Sequence, residues 1–365
     1  MQRARIDGTG GALSQFGWGV SMTTLRVIQW TTGKVGKHSL RAILDDPRLK
    51  LVGLYAHSPE KIGRDAGELC DRPNTGIRAS ADVGALLALD ADCVLYAAQL
   101  PELEVLLRLL ASGTDVVCTS TFGRTGGLDG PTQRQLEETC TRGRSSLFIT
   151  GVNPGWINSI AVAMTATCRS VERISISESA NVSNYASPET WLAHGMSMPA
   201  STPGVVEHTR RSLLPFADTI TQMARALDIR LDDLEFHAEH ATAAHQVDLG
   251  WMCIEKDTLA AVRATWSGVS GGRRRLATSI AWRLTDELNS DWPMAPDHYT
   301  LRIDGVPNVD TRIRFVPSGE WHPSDFSILT ALPSVNSIPA VCAARPGLLT
   351  LRDVGLPYSP VGLWT

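Results

Sequence analysis

None of the seven cysteines stands in a Cys-x-x-Cys pair or a zinc-like spacing, which argues against a dithiol redox site, c-type haem attachment and structural zinc. What is left is a set of scattered thiols of the kind a reducing cytosol keeps. Long apolar runs are also missing. Nothing approaches the roughly 18 residues of a membrane span, and residues 1–22 hold neither an apolar signal core nor a cleavage site. Net charge is only −4, with acids and bases interspersed, so there is no basic footprint for nucleic acid and no polybasic membrane patch. A cytoplasmic globular protein remains, with small molecules as partners and neither nucleic acid nor membrane among them. Residues 1–22 carry Gly8, Gly10, Gly11, Gly17 and Gly19 with little apolar periodicity and read as a disordered leader, Met22 being a candidate start.

At 365 residues, 43% of them hydrophobic, the chain has material for two cores rather than one. The most informative stretch is Leu25 to Lys37, an apolar strand that runs through a glycine-bearing turn into a helical pattern at His38 to Leu44. Gly33 and Gly36 have the spacing of the last two glycines of G-x-G-x-x-G, which let backbone approach a pyrophosphate at a helix N-terminus. The first glycine is absent, and Thr31 takes its place. An ordinary strand-to-helix turn is the competing reading. The second strand at Leu51 to Tyr55 favours a dinucleotide site and makes Thr31, Thr32, Gly33, Lys34, Val35 and Gly36 the candidate phosphate turn.

A carboxylate is missing too. The end of the next strand, where such folds place an acid on the adenosine ribose, reads Tyr55-Ala56-His57-Ser58, with Lys61 and Arg64 close behind. Without the acid, a 2′-phosphate meets no repulsion and finds hydroxyl and cationic partners. His57, Ser58 and Lys61 therefore favour NADP, with NAD as the other candidate; the bland alternative is that Lys61 and Arg64 solvate a surface loop. Helices at Asp82 to Leu89, Glu102 to Ser112 and Thr132 to Arg142 alternate with strands at Cys93 to Ala97, Asp115 to Thr119 and Leu147 to Thr150. The pattern is α/β, a Rossmann doubly wound parallel sheet over residues 23–155. Residues just beyond parallel strands line the ligand crevice, so Ala98, Gln99, Ser120 and Thr121 are expected to flank the nicotinamide ribose, with Thr119 and Asn153 as further cofactor contacts.

Three stretches, Val27 to Lys37, Tyr55 to Asp65 and Gly151-Val-Asn-Pro-Gly155, resemble the dihydrodipicolinate-reductase-like family. Within it they are most similar to the branch of 2,4-diaminopentanoate dehydrogenase and the native amine dehydrogenases. The resemblance runs from about residue 24 to about residue 355. It implies a nicotinamide cofactor and a second α+β domain that carries substrate and dimer contacts. Dihydrodipicolinate reductases enter that domain with E-x-H-H-x-x-K, whereas Ser177-Glu-Ser-Ala-Asn-Val-Ser183 lacks the His and Lys, which argues against lysine biosynthesis. The resemblance also implies a glutamate that handles ammonia just after the strand Val116 to Thr119. Thr121 and Phe122 stand there instead, and neither is a useful base.

From Val171 onward short strands dominate: Arg173 to Ser179, Glu235 to Thr242, Leu259 to Ser267, Arg275 to Thr285, His298 to Ile303 and Asp310 to Val316. They suggest a mixed or antiparallel sheet over residues 156–330, covered by one amphipathic helix from Val205 to Leu227, with a hairpin turn at Gly271 and Gly272. Such a sheet leaves a face or edge for a second copy, so a homodimer is expected. Arg273 to Arg275 read as solvated residues on a sheet edge rather than a phosphate site. His237, Glu239, His240 and His245 invite a metal reading, but on a strand His237 and His240 face opposite sides, and no metal is expected. Residues 331–365 form an apolar helix and tail that the resemblance returns to the first domain. Asn336 is polar among its packing residues and is a candidate for the cofactor's polar groups or for neighbouring backbone.

Hydride transfer is the cofactor's chemistry, so the protein must exclude water, position a carbonyl or imine, and trade a proton. Tyr185, Glu178 and Thr121 are the catalytic candidates, and Phe122, Trp156 and Asn184 are candidates for the pocket wall, with Glu189 and His194 nearby. Each also has an ordinary packing explanation. The expectation is an NAD(P)-dependent oxidoreductase acting on a small carbonyl, imine or amine. The alternative is a non-catalytic NADP-binding regulator or sensor, which would hold cofactor without an accessible substrate pocket.

Overall fold

The computed structural model describes residues 24–120, 130–292, 297–319, 321, 325–359 and 361. The expected leader and the candidates Thr121 and Phe122 lie outside them. Strands β1 (Leu25–Trp30), β2 (Leu49–Tyr55), β3 (Ala79–Ser80), β4 (Cys93–Tyr96), β5 (Asp115–Cys118) and β6 (Ser146–Ile149) alternate with helices α1 (Lys34–Asp45), α2 (Ala66–Leu69), α3 (Val83–Leu87), α4 (Leu103–Ala111) and α5 (Gly130–Gly143). The strands run parallel in the order β6-β5-β4-β1-β2-β3, the doubly wound arrangement that places a ligand beyond their C-terminal ends. Both faces are covered, which is why these strands read as nearly continuous apolar runs. Val27, Leu54, Leu95 and Val117 pack on the side of α1, and Ile28, Val94, Tyr96 and Val116 pack on the side of α4.

After β6 the backbone turns through Val152–Trp156 into α6 (Ile157–Met164). Gly155 holds φ 137° there, and a Cβ would stand 2.6 Å from the Thr150 hydroxyl, so only glycine fits this turn. The second sheet contains β7 (Ser170–Asn181) and β8 (Asp233–Thr242). A small ribbon of β9 (Val247–Asp248) and β10 (Cys253–Ile254) follows, and then β11 (Leu259–Ser270), β12 (Arg273–Arg283), β13 (His298–Val306) and β14 (Val309–Ile313) join the second sheet. Its order is β14-β13-β7-β12-β11-β8. It is mixed, because β12 pairs with β7 in parallel and the other neighbours are antiparallel. Ser270 lies opposite Arg273, and Gly271 and Gly272 both have positive φ, as a two-residue hairpin loop that follows strand twist requires.

One expectation needs correction. The single helix from Val205 to Leu227 is two: with α7 (Pro188–Ala193) preceding them, α8 (Val205–Ser212) and α9 (Leu214–Ala226) break at Leu213. Pro215 has no N–H to give the carbonyl four residues back, so the helix restarts there. Arg273 to Arg275 precede the part of β12 that pairs with β7, which begins at Leu276, so they have β11 on one side and no strand partner on the other; Arg273 and Arg274 are exposed, Arg274 pairs with Glu235, and Arg275 donates to the Glu172 carbonyl.

The tail completes the first sheet. Helix α10 (Ser327–Ala343) buries Val335, Ile338 and Val341 against Val27, Leu40 and Val117. Strand β15 (Gly347–Leu348) then adds beside β6, a strand the sequence pattern did not reveal, and α11 (Leu351–Val354) closes the chain over it. Ile338 is fully buried, so Ile338→Ala should cost about 2–5 kcal/mol of the stability of the first domain. Urea unfolding followed by circular dichroism checks this; an unchanged midpoint would mean that α10 is not part of that core.

Candidate active site

The strand ends of the first sheet open on a cleft of about 850 Å3. Its floor begins at Thr31, whose φ of 73° is the left-handed backbone that the missing glycine would take. Three hydrogen bonds hold that conformation: the Thr31 hydroxyl donates to the Ala97 carbonyl (2.8 Å), and Gln29 Nε2 donates to the carbonyls of Trp30 (3.2 Å) and Thr31 (3.1 Å). Gly36 passes beneath, so close that a Cβ would lie 2.4 Å from the Thr31 carbonyl oxygen. A Cβ on Gly33 would meet nothing within 4 Å, so that position is an open cradle at the N-terminus of α1. The Thr32 hydroxyl is buried with no partner among the described residues. An open cradle, an unspent hydroxyl and the amides of a helix start are the features that receive a pyrophosphate.

Most of the cofactor candidates gather on this cleft. His57, Ser58 and Lys61 line one end, where Lys61 Nζ reaches the Thr32 carbonyl at 3.5 Å, and Ala98, Gln99, Thr119, Ser120 and Asn153 line the other. The Ser120 hydroxyl donates to the Ala98 carbonyl. Arg64 turns away and pairs with Glu68 at 2.8 Å. Asn336 does not line the cleft, where Ser327 and Thr330 represent α10. Asn336 stands about 9 Å further along the helix axis, at 1.5 Å per residue, beside the part that packs under the sheet.

A second cavity, of about 460 Å3, joins the first along a wall shared by Val152, Asn153, Tyr185, Thr190 and Thr330. Glu178 of β7 lines it. Its carboxylate accepts from Asn153 Nδ2 (3.1 Å), from the Trp282 indole N–H (2.8 Å) and from the Tyr299 hydroxyl. Asn153 in turn accepts from the Thr219 hydroxyl at 3.0 Å. The ring centroids of Trp191, His194 and Phe216 lie 5.7, 5.4 and 5.4 Å from that of Trp282, edge to face. Burial, with His208 nearby, pushes the His194 imidazole down to about 4, so it is neutral at pH 7. Tyr185 closes the junction of the two cavities. Burial and then Asp325 hold its phenol above the usual range, and the Lys34 ammonium stands 5.1 Å from its ring centroid across the cleft.

Of the remaining candidates, Asn184 and Glu189 are exposed and line neither cavity. Trp156 stands one layer behind the wall, its ring 6.1 Å from that of Phe315. The residues missed from sequence are Trp191, Phe216, Trp282, Tyr299 and Phe315, which line the second cavity. Only the alternation of Ile280 and Trp282 on β12 hinted at an inward tryptophan. Among the described residues no group of three His, Cys, Asp or Glu is close enough to hold a metal ion. His240 meets the Thr209 hydroxyl at 2.8 Å, and His237 meets Glu239 at 3.4 Å.

Comparison with known proteins gives a consistent picture. The family model described as the 2,4-diaminopentanoate dehydrogenase C-terminal domain matches residues 156–363. An amine dehydrogenase of Streptomyces virginiae is 27% identical over 348 residues, covering 91% of this chain and 96% of the relative. The structure of an amine dehydrogenase from Mycobacterium smegmatis superposes with a TM-score of 0.74 at 18% identity, over 92% of this chain and 98% of that one. An oxidoreductase from Agrobacterium radiobacter, solved with NAD+, L-tartaric acid and magnesium, shares the fold at a TM-score of 0.52 and 14% identity, over 92% of this chain and 93% of that one.

One buried carboxyl sits beside the site without entering it. Asp218 lies on α9 between Pro215, which lines the first cleft, and Gln222, which donates to the Ile149 carbonyl at 3.4 Å. One Asp218 carboxylate oxygen has no partner, and burial lifts the group to about 7. A carboxyl raised in the folded state favours folding below its unfolded pKa and loses that contribution as pH rises through 7. Asp218→Asn should therefore gain stability over the parent as pH rises from 4 to 8, by up to about 4 kcal/mol. Denaturant midpoints at pH 5 and pH 8 check this, and a pH-independent difference would contradict it.

Proposed function

This chain belongs to the 2,4-diaminopentanoate dehydrogenase family, and from that premise we propose that it is an NADP-dependent oxidoreductase that interconverts a small amine and the corresponding imine or carbonyl. The observation that carries the reading is the shared wall: a ring seated at Asn153, Tyr185 and Thr330 would face directly into the cavity that holds Glu178. A regulator that only bound cofactor would have no use for that second cavity.

Bound in the first cleft, a nicotinamide would give or take a hydride. In the direction of amine synthesis, the ketone, ammonia, NADPH and a proton give the amine, water and NADP+. The residues supply the rest. Gly33 and the α1 amides take the pyrophosphate, while Ser58 and Lys61 take the 2′-phosphate. Tyr185, at the junction, donates to the substrate nitrogen or oxygen. Glu178, fixed by Asn153, Trp282 and Tyr299, accepts a proton from ammonium in the direction of synthesis, or from the incoming protonated amine in the direction of oxidation. This reading hands the proton work expected near Thr121 to a carboxylate on β7.

The same reading divides the chain into a cofactor domain (23–155, completed by 331–365) and a substrate and dimerisation domain (156–330), acting as a homodimer in the cytoplasm. The buried thiols of Cys70, Cys93, Cys118 and Cys140 suit a reducing compartment. Among the described residues no helix is long and apolar enough to cross a membrane.

A charge-assisted phosphate contact is worth about 1.5–3 kcal/mol, so Lys61→Ala should weaken NADPH roughly tenfold or more while NADH binds nearly as before. Titration of both dinucleotides decides this, and equal losses would remove the NADP assignment. Glu178→Gln should lower kcat for reductive amination by about 10² to 10⁴ and leave NADPH affinity near the parent value. A fall of less than about threefold in steady-state assays would return the proton transfer to another group.

A further inference from the structure

The second cavity is rich in rings. Trp191, His194, Phe216 and Trp282 form one wall, with Phe315 and Leu329 among the residues that complete it. A dry apolar cavity of about 150 Å3 takes a benzene ring, and this one is about 460 Å3. It therefore holds a ring, a linker of a few carbons and the reacting centre.

Its charges are few and unevenly placed. Glu178 lies beside the junction with the cofactor cleft, whereas Asp297 and Arg314 are exposed. Asp297 is occupied by the Asn181 amide at 2.8 Å. His194 carries no charge at neutral pH. Lys34 belongs to the cofactor cleft and lies over the Tyr185 ring. Among the described residues Arg314 is the one arginine or lysine that lines this cavity, and it does so from an exposed position, with His298 half-buried beside it; among the buried rings themselves no cation faces a substrate carboxylate, and an unpaired carboxylate there would be costly.

On the amine dehydrogenase reading above, we propose that this site selects an aryl-alkyl monoamine and its ketone, with nitrogen at Glu178 and the ring in the box of Trp191, Phe216 and Trp282, and rejects amino acids that carry a carboxylate. The selectivity is thus directed away from a diamino acid such as the one that names the family.

The test uses the full chain loaded with NADP+. Calorimetric titration compares 4-phenylbutan-2-amine, butan-2-amine and 4-aminopentanoate, and NADPH oxidation with ammonium compares the three matching ketones. The aryl compound should bind at least tenfold more tightly than either competitor and show at least a tenfold higher kcat/KM. Phe216→Ala should reduce that preference at least tenfold, with Phe216→Leu reducing it in part should the alanine variant fold poorly. Aryl-selective binding without turnover would support the selectivity while refuting the amine dehydrogenase reading. Equal or tighter binding of 4-aminopentanoate, equal binding of butan-2-amine, or no binding of any of the three would overturn the inference whatever the turnover.

Discussion

The site depends on one amide. Asn153 lies just past β6, and its side chain spends both ends on the second domain: Nδ2 on the Glu178 carboxylate and Oδ1 on the Thr219 hydroxyl. A flipped amide would set its oxygen against a carboxylate, so the two partners fix its orientation. A hydrogen bond to a charged group contributes about 1.5–3 kcal/mol, but its geometric effect is larger. It ties the first sheet's ligand edge to β7 and α9 at the point where the two cavities meet. Gly155, in a backbone no other residue adopts without strain, permits the turn that brings Asn153 there.

Around that tie the second cavity is arranged as a carboxylate in an aromatic frame. The Trp282 N–H and the Tyr299 hydroxyl point at Glu178, stabilising its charge without cancelling it. His194 is kept neutral by burial, and the nearest lysine of the cofactor turn is held over Tyr185. The buried part of this cavity thus carries one carboxylate, while Asp297 and Arg314 line it from exposed positions. In a site of low effective dielectric such a charge attracts an ammonium or iminium group strongly.

The first half of the fold was legible in the sequence where its strands are apolar on both faces, as in β1, β4, β5 and β6, and where the crossover is a full helix such as α1 or α4; the two-residue β3 and the four-residue α2 carry no such signal. Gly33 and Gly36 marked the cofactor turn through Thr31, whose threonine in a glycine's conformation is a departure that hydrogen bonds from the Gln29 side-chain amide to the backbone make good. The second half was legible as strands but not as a sheet order, since β7 finds β12 and β13 across more than a hundred residues of chain. Pro215 was visible and its effect underestimated. The long helix it divides keeps an amphipathic pattern across the break, and periodicity alone does not register a missing N–H.

What the sequence determined was local: strand and helix identities, the glycine spacing, the missing ribose acid, and the absence of clustered charge or paired cysteines. These follow from φ/ψ preference, side-chain period and composition, which act over a few residues. What tertiary structure decided was which distant side chains meet. It set Glu178, Asn153, Trp282 and Tyr299 around one carboxylate, placed Thr330 of α10 rather than Asn336 at the cleft, and gathered Trp191 and Phe216 into one wall. Each of these depends on strand order and on the rotation of a helix about its axis. Burial of the whole core fixes both, and no single stretch of chain encodes either.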